Sequence, residues 1–361
     1  METAEAAAQV NDPRPRISVP MAPGMFAEFD SIIDARTLEE FVEDHIPGAI
    51  CCPVLDGEER ARVGTIYKQQ SPFDAKRIGG ALVAKNIAHH VETRFAAQPK
   101  EWKPLVYCWR GGKRSGAMAH VLREIGWDAR TLEGGYKAYR RYAVAELARI
   151  APLLRYRVVH GATGSGKSRL LRALRSQGAQ VLDLEELAVH RGSVLGGLPL
   201  QPQPPQRLFE SAVLHELAAM DPARPVFVEA ESRKIGQVQV PGPLIAAMRA
   251  AECLRLDADI AVRVALLMDE YRHFFDDRPG LDGQLDCLVD LHGREKIAGW
   301  KALAGAARWD ELVARLLEEH YDPAYKRSAA KNFARLHEAG VAQVGAPDDT
   351  VFLRLAKELA A

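Results

Sequence analysis

YCWRGGKRS, residues 107–115, is the stretch on which the reading of the whole chain turns. Just before it, Pro104-Leu105-Val106-Tyr107 is a short apolar run of the kind that forms a buried strand, and residues 114–125 carry apolar side chains at helical spacing. Cys108 is therefore expected at a strand-to-helix turn, with its sulfur facing a helix N-terminus. Successive backbone N–H groups in a glycine-containing turn form a concavity for anions, and the helix dipole adds positive potential there. Arg110, Lys113 and Arg114 reinforce that field. Such surroundings commonly lower a cysteine pKa into roughly the 3.5 to 7.5 range, so a thiolate nucleophile is expected at neutral pH.

Around this stretch, 361 residues leave room for two domains, each with its own core. With 47% hydrophobic and 27% charged residues the chain reads as a soluble globular protein. No apolar run approaches the roughly 20 residues of a membrane span, and the first residues are acidic and then proline-rich, without an apolar signal core. A cytoplasmic location, with no membrane partner, is expected. Five cysteines without regular spacing make no disulfide framework or zinc site, so the thiols are expected to be reduced. Cys51 and Cys52 are read as core or supporting residues, and Cys253 and Cys287, in apolar surroundings, as buried. A formal net charge of zero means that any RNA contact must use a local basic surface.

The first organised segment begins with Ile32-Ile33 and Asp34-Ala35-Arg36, after which Thr37 and Glu40 have capping-box spacing for a short helix. His45-Ile46-Pro47-Gly48-Ala49 follows as a turn, and Leu132-Glu133-Gly134-Gly135-Tyr136 is a Gly-Gly turn before a long helix. With the cysteine loop, these landmarks resemble the rhodanese domain over about residues 24–148, behind a flexible N-terminus at 1–23. The resemblance implies that Cys108 carries a chalcogen atom cradled by backbone N–H groups. Cys108 and Arg114-Ser115 also have the Cys-x5-Arg-Ser spacing of cysteine-dependent phosphatases, although Tyr107 stands where those enzymes usually have histidine. Between the landmarks, residues 65–91 read as a polar loop passing into an amphipathic helix.

The second domain, 149–361, opens with a strand that ends at His160 and runs into Gly161-Ala162-Thr163-Gly164-Ser165-Gly166-Lys167-Ser168 and a helix. This is the complete G-x-x-x-x-G-K-S loop in its strand-loop-helix context. Gly161, Thr163, Gly164, Ser165 and Gly166 wrap a phosphate chain with main-chain N–H groups, and Lys167 adds a point charge. The Ser168 hydroxyl is a candidate Mg²⁺ ligand. Glu229, at the end of the apolar run 225–229, is the candidate acidic partner for that ion, with Glu231 on the same side. Arg233 and Lys234 at that strand's C-terminal edge, and the aromatic-basic pairs Tyr271-Arg272 and Tyr325-Lys326, are candidate phosphate or RNA contacts. The fold class expected is α/β: a rhodanese-like domain, then a P-loop NTPase-like parallel-sheet domain with a helical C-terminal part.

In order, CWRGGKRS, SPFDAKRIGGALVA, LEGGYKAYR, GATGSGKS, VEAESRKIG and HYDPAYKRS resemble the bacterial tRNA 2-selenouridine synthase family, over about residues 26–331. The resemblance implies a tRNA carrying wobble 2-thiouridine, whose sulfur is replaced by selenium from selenophosphate. It also implies geranyl diphosphate as a second substrate and an S-geranyl-2-thiouridine intermediate. No tightly bound cofactor is expected, Mg²⁺ at Ser168 and Glu229 being the one candidate metal. The residues alone leave open a cysteine-dependent phosphatase fused to a P-loop small-molecule kinase.

Overall fold

The computed structural model describes residues 18–193, 195–198, 201–333 and 335–360. The chain divides into two compact units, one ending at Tyr142 and the other beginning at Ala143.

The first unit is built on five parallel strands: β1 (Ser18–Val19), β2 (Ser31–Asp34), β3 (Ala49–Cys51), β4 (Pro104–Tyr107) and β5 (Arg130–Leu132). Their order is β1-β5-β4-β2-β3. The central strand β4 is buried along its whole length, as a parallel sheet covered on both faces requires. Helices α1 (Leu38–Glu43), α2 (Gly57–Gln69), α3 (Pro72–His90), α4 (Lys113–Ile125) and α5 (Gly135–Ile150) complete it, α5 running on past Tyr142. Ile33, Val106, Met118, Leu122 and Trp102 lie in its core. The chain leaves β2 for β3 on one side and returns to β4 on the other, so the order switches between β2 and β4. Ligands of open α/β sheets collect at such a point, beyond the strands' C-terminal ends. Asp34 and Cys108 both stand there.

Two expectations for this unit change. Residues 1–17 of the flexible stretch lie outside the described residues, but Ser18–Val19 pairs with Thr131–Leu132 as an edge strand. Residues 65–69, read as polar loop, are the last turns of α2. That helix buries none of its side chains and so shows no apolar period; it starts from an Asp56–Glu59 capping box. Ser71 and Pro72 then open α3, the Ser71 Oγ accepting from the Asp74 N–H.

The second unit has β6 (Arg155–Gly161), β7 (Gln180–Leu182), β8 (Pro225–Glu229), an antiparallel hairpin β9 (Lys234–Ile235) and β10 (Val238–Gln239), β11 (Glu252–Asp257) and β12 (Gly340–Gln343). The main sheet is parallel in the order β12-β11-β6-β8-β7, with β6 at its centre and the switch point at its C-terminal end. Its helices are α6 (Lys167–Ser176), α7 (Leu184–Ala188), α8 (Gln206–Ala218), α9 (Gly242–Ala250) and α10 (Ile260–Glu270). A helical part follows: α11 (Arg278–Asp286), α12 (Val289–His292), α13 (Arg294–Gly305), α14 (Trp309–Leu316) and α15 (Asp322–Asn332). The last helix, α16 (Asp349–Ala360), packs Phe352 into the sheet core beside Leu170 and Leu174 of α6. Leu285, Trp300, Leu312 and Leu316 form a separate core under the helical part. Cys253 and Cys287 are not buried as expected: Cys253 is half-buried on β11, whose side chains alternate between faces, and Cys287 is exposed at the end of α11. No helix among the described residues is long and apolar enough to cross a membrane.

Candidate functional site

Cys108 follows β4 directly and is only 3% exposed. The Ser115 hydroxyl, on the first turn of α4, donates to its sulfur at 3.2 Å. Burial pushes the thiol pKa up, but that hydroxyl and the backbone N–H groups of Ser115, Gly112 and Arg110 outweigh it, so the pKa lies below the ordinary value. The largest lowering influences are thus hydrogen bonds to the thiolate. Arg110 and Lys113 are exposed. Arg114 turns away, its Nη1 donating to Glu40 Oε2 at 2.8 Å. Burial opposes the Glu40 carboxylate, yet Arg114 and the Thr37 cap hold its pKa below the usual value. Among the expected catalytic residues, Cys108 is therefore poised as a nucleophile, while Arg114 is engaged in holding α1 to α4.

The loop is clamped from below by the Gly-Gly turn. Tyr136 N–H donates to the Cys108 carbonyl at 2.8 Å and Lys137 N–H to that of Trp109 at 3.1 Å. A Cβ on Gly135 would lie 2.1 Å from the Cys108 carbonyl oxygen, and its φ of +57° also favours glycine. Beside it, Arg36 bonds Asp34 through Nε and Nη2, reaches the Asp44 carbonyl at 2.6 Å, and stacks over the Tyr136 ring at 4.1 Å. The Asp34-x-Arg36 and Gly-Gly landmarks thus meet in one buried network under the cysteine. Cys52 is fully buried there, its thiol pushed up to about 12 by burial, which makes it inert. Cys51 is half-buried and is raised for the same main reason.

In the second unit, Gly161 through Ser168 form the expected loop between β6 and α6. Gly164 and Gly166 have φ of +79° and +83°, and a Cβ on Gly166 would strike the Phe352 ring. Lys167 Nζ donates to the Gly161 carbonyl at 3.1 Å, across the mouth of the loop. The Ser168 hydroxyl donates not to Glu229 but to Glu185 Oε2, at 3.1 Å. Glu229 is fully buried; its Oε1 accepts from the Glu185 N–H at 2.8 Å and its Oε2 has no partner. Burial, then Asp183, Glu185 and Glu231, push its pKa far up. Glu231 is also raised, to about 8, by burial and then by Glu185. Glu185, in the β7–α7 turn, is thus the carboxylate beside Ser168 where Glu229 was expected, and burial raises its pKa too, against the favourable influence of Lys167 and Ser168. The only sequence signal for it was an acidic residue just past a strand, in DLEELA.

Gly161, Lys167, Ser168, Glu185 and Glu231 border a cavity of about 800 Å³, while Ser165 and Glu229 lie outside its lining. Tyr271 and Tyr325, expected as RNA or phosphate contacts, are part of its wall. Tyr271 lies beneath the Arg191 guanidinium, 4.7 Å from ring centroid to Cζ. Arg272, Lys326, Arg233 and Lys234 are exposed and outside that wall. Two features went unread in the sequence. Arg263, inside α10, donates to the Thr163 carbonyl at 2.9 Å and pairs with Asp322 at 2.5 Å, tying α15 to the P-loop. An apolar pocket, lined by Leu267, Tyr271, Phe274, Phe275, Trp309 and Leu316 among others, shares Thr163, Leu267, Tyr271 and Tyr321 with the cavity. Phosphate loop and apolar pocket are therefore neighbours, with Thr163 common to both.

Residues 22–142 match the rhodanese-like domain, and residues 154–278 match the tRNA 2-selenouridine synthase AAA domain. The tRNA 2-selenouridine synthase of Nitrosomonas europaea is 35% identical over 261 residues, 71% of this chain and 67% of that protein. That of Bdellovibrio bacteriovorus is 35% identical over 260 residues, 68% of this chain and 66% of that protein. The chain thus spans about two thirds of the length of these relatives. With both domain matches in series, and the cysteine loop and phosphate loop placed as described, the chain belongs to the tRNA 2-selenouridine synthase family.

Proposed function

We propose that the protein modifies tRNA, converting wobble 2-thiouridine to 2-selenouridine through an S-geranyl intermediate. The observation that supports the prenyl step is the apolar pocket, which shares Thr163, Leu267, Tyr271 and Tyr321 with the wall of the phosphate-binding cavity. A nucleoside triphosphate has a polar base and sugar beyond its phosphates; a pocket of leucines and aromatic rings suits a hydrocarbon chain instead. In the first step, thiouridine sulfur attacks C1 of geranyl diphosphate. The C1–O bond breaks with its electron pair going to diphosphate, and uridine N3 loses its proton. Lys167 and the loop N–H groups stabilise the departing anion. Ser168 and Glu185, hydrogen-bonded to each other, are the residues that would hold a Mg²⁺ ion, an ion that takes few protein ligands. It would supply further charge neutralisation.

The second step replaces the thioether. Taking selenium from selenophosphate directly onto sulfur would expel phosphorus at the phosphite level. Attack of the Cys108 thiolate at phosphorus is balanced without an oxidant: hydroselenide leaves, and the S-phosphocysteine hydrolyses to phosphate and free thiolate. Hydroselenide then adds at C2, geranylthiolate departs with the C–S pair, and N3 regains a proton. The N–H groups around Cys108 suit a phosphorus oxyanion as well as a thiolate.

Calorimetric titration tests the pocket assignment. Geranyl diphosphate is expected to bind at least ~10-fold more tightly than dimethylallyl diphosphate, because five further carbons are taken out of water. Inorganic diphosphate is expected to bind more weakly than either. Equal affinities for the three, or a preference for ATP, would overturn the prenyl reading.

A further inference from the structure

Between α14 and α15 the chain makes a π-helical turn, Leu317–Tyr321. Extra-wide turns of this kind often re-aim a side chain at a functional site. Here the turn places His320 in the wall of the P-loop cavity, 7% exposed. Its Nδ1 lies 2.9 Å from Nε2 of His292, the last residue of α12. His292 is half-exposed and rests edge-on against the buried Trp300, with centroids 5.1 Å apart. The same turn is anchored to the phosphate loop, since Asp322 grips Arg263 and Arg263 bonds the Thr163 carbonyl. Two imidazoles therefore run in series from the cavity wall to the surface of the helical part.

S-alkylation of a 2-thiouridine has a proton to dispose of, because the neutral S-alkyl product has lost N3–H. We propose that His320 is the catalytic base that takes this proton and passes its charge to solvent through His292; this rests on the geranyl-transfer reading above. As the S2–C1 bond forms and the C1–O pair goes to diphosphate, N3–H is transferred to Nε2 of His320. The Nδ1 proton moves to Nε2 of His292, whose own Nδ1 proton is released to water. The starting state has His320 donating Nδ1–H to His292, which leaves Nε2 with its lone pair. Arg327 acts on His320, and Lys296 and Glu319, themselves paired at 3.1 Å, on His292. Burial first, then His292 and Arg327, keep His320 below the ordinary histidine value and hence neutral at pH 7.

The test is single-turnover geranylation of 2-thiouridine tRNA with geranyl diphosphate across pH, for wild type, His320→Gln and His292→Gln. The wild-type rate is expected to fall as pH drops through the His320 pKa. His320→Gln is expected to lose about 10²-fold at the plateau, with no such acid limb, while calorimetry shows unchanged geranyl diphosphate affinity. His292→Gln is expected to shift the limb and slow the reaction less. An unchanged rate and limb in His320→Gln overturns the proposal, as does a parallel loss of geranyl diphosphate binding, which marks a structural role. Wild type that binds geranyl diphosphate but forms no geranylthiouridine overturns the transfer reading, and the base with it.

Discussion

Cys108→Ala is expected to form S-geranyl-2-thiouridine at the wild-type rate and to lose selenouridine formation by on the order of 10³-fold or more, read by mass spectrometry of digested tRNA. The expectation follows from the separation of the two chemistries. The lining of the P-loop cavity runs from Gly161 to Tyr325, and among the described residues the one thiol placed against a set of hydrogen-bond donors is Cys108. Ser115→Ala isolates the cause of its activation. Removing the hydroxyl 3.2 Å from the sulfur leaves burial less opposed, so the thiol pKa rises. Since only the thiolate reacts, the pH at which iodoacetamide alkylates Cys108 at half its maximal rate is expected to move upward. Arg114→Ala is a useful contrast, because its guanidinium already serves Glu40.

Lys167→Ala is expected to lose geranyl transfer by about 10²- to 10³-fold, the usual size for a group that stabilises charge developing in the transition state. Two losses combine in this variant. The charge that meets the diphosphate is removed, and the favourable influence of Lys167 on the Glu185 and Glu231 carboxylates goes with it. Both acids then become harder to ionise, and Glu185 becomes a weaker candidate for holding a cation beside Ser168. Thiouridine tRNA incubated with this variant, selenophosphate and geranyl diphosphate is expected to remain unmodified, since the block falls before the selenium step.

Both loops could be read in the sequence because their chemistry is written in residue types that the backbone itself demands. Gly164 and Gly166 sit at positive φ, and Gly111 and Gly135 have no room for a Cβ. Gly111, Gly164 and Gly166 lie close in sequence to the nucleophile or the lysine they serve, and Gly135 stands out as half of a Gly-Gly pair. What stayed hidden depends on pairing across distance. Ser168 meets Glu185 rather than Glu229 because β7 and β8 are neighbours in register, which places the β7–α7 turn over the loop. Arg114 meets Glu40 across 74 positions, a pairing that the Cys-x5-Arg spacing does not announce. The apolar pocket draws on residues from Thr163 to Tyr321, most of which read locally as ordinary core. The charged end of α2 looked like loop because a helix that buries nothing has no apolar period to show.

The most direct measurement supplies the intermediate ready-made. tRNA already carrying S-geranyl-2-thiouridine is given to Lys167→Ala with selenophosphate, beside the same variant with thiouridine tRNA and geranyl diphosphate. Two centres acting in sequence predict selenouridine at the wild-type rate from the geranylated tRNA and none from the thiouridine tRNA. Selenouridine from neither substrate, or from thiouridine tRNA in the same variant, would contradict the order of steps and the separate roles of Cys108 and Lys167.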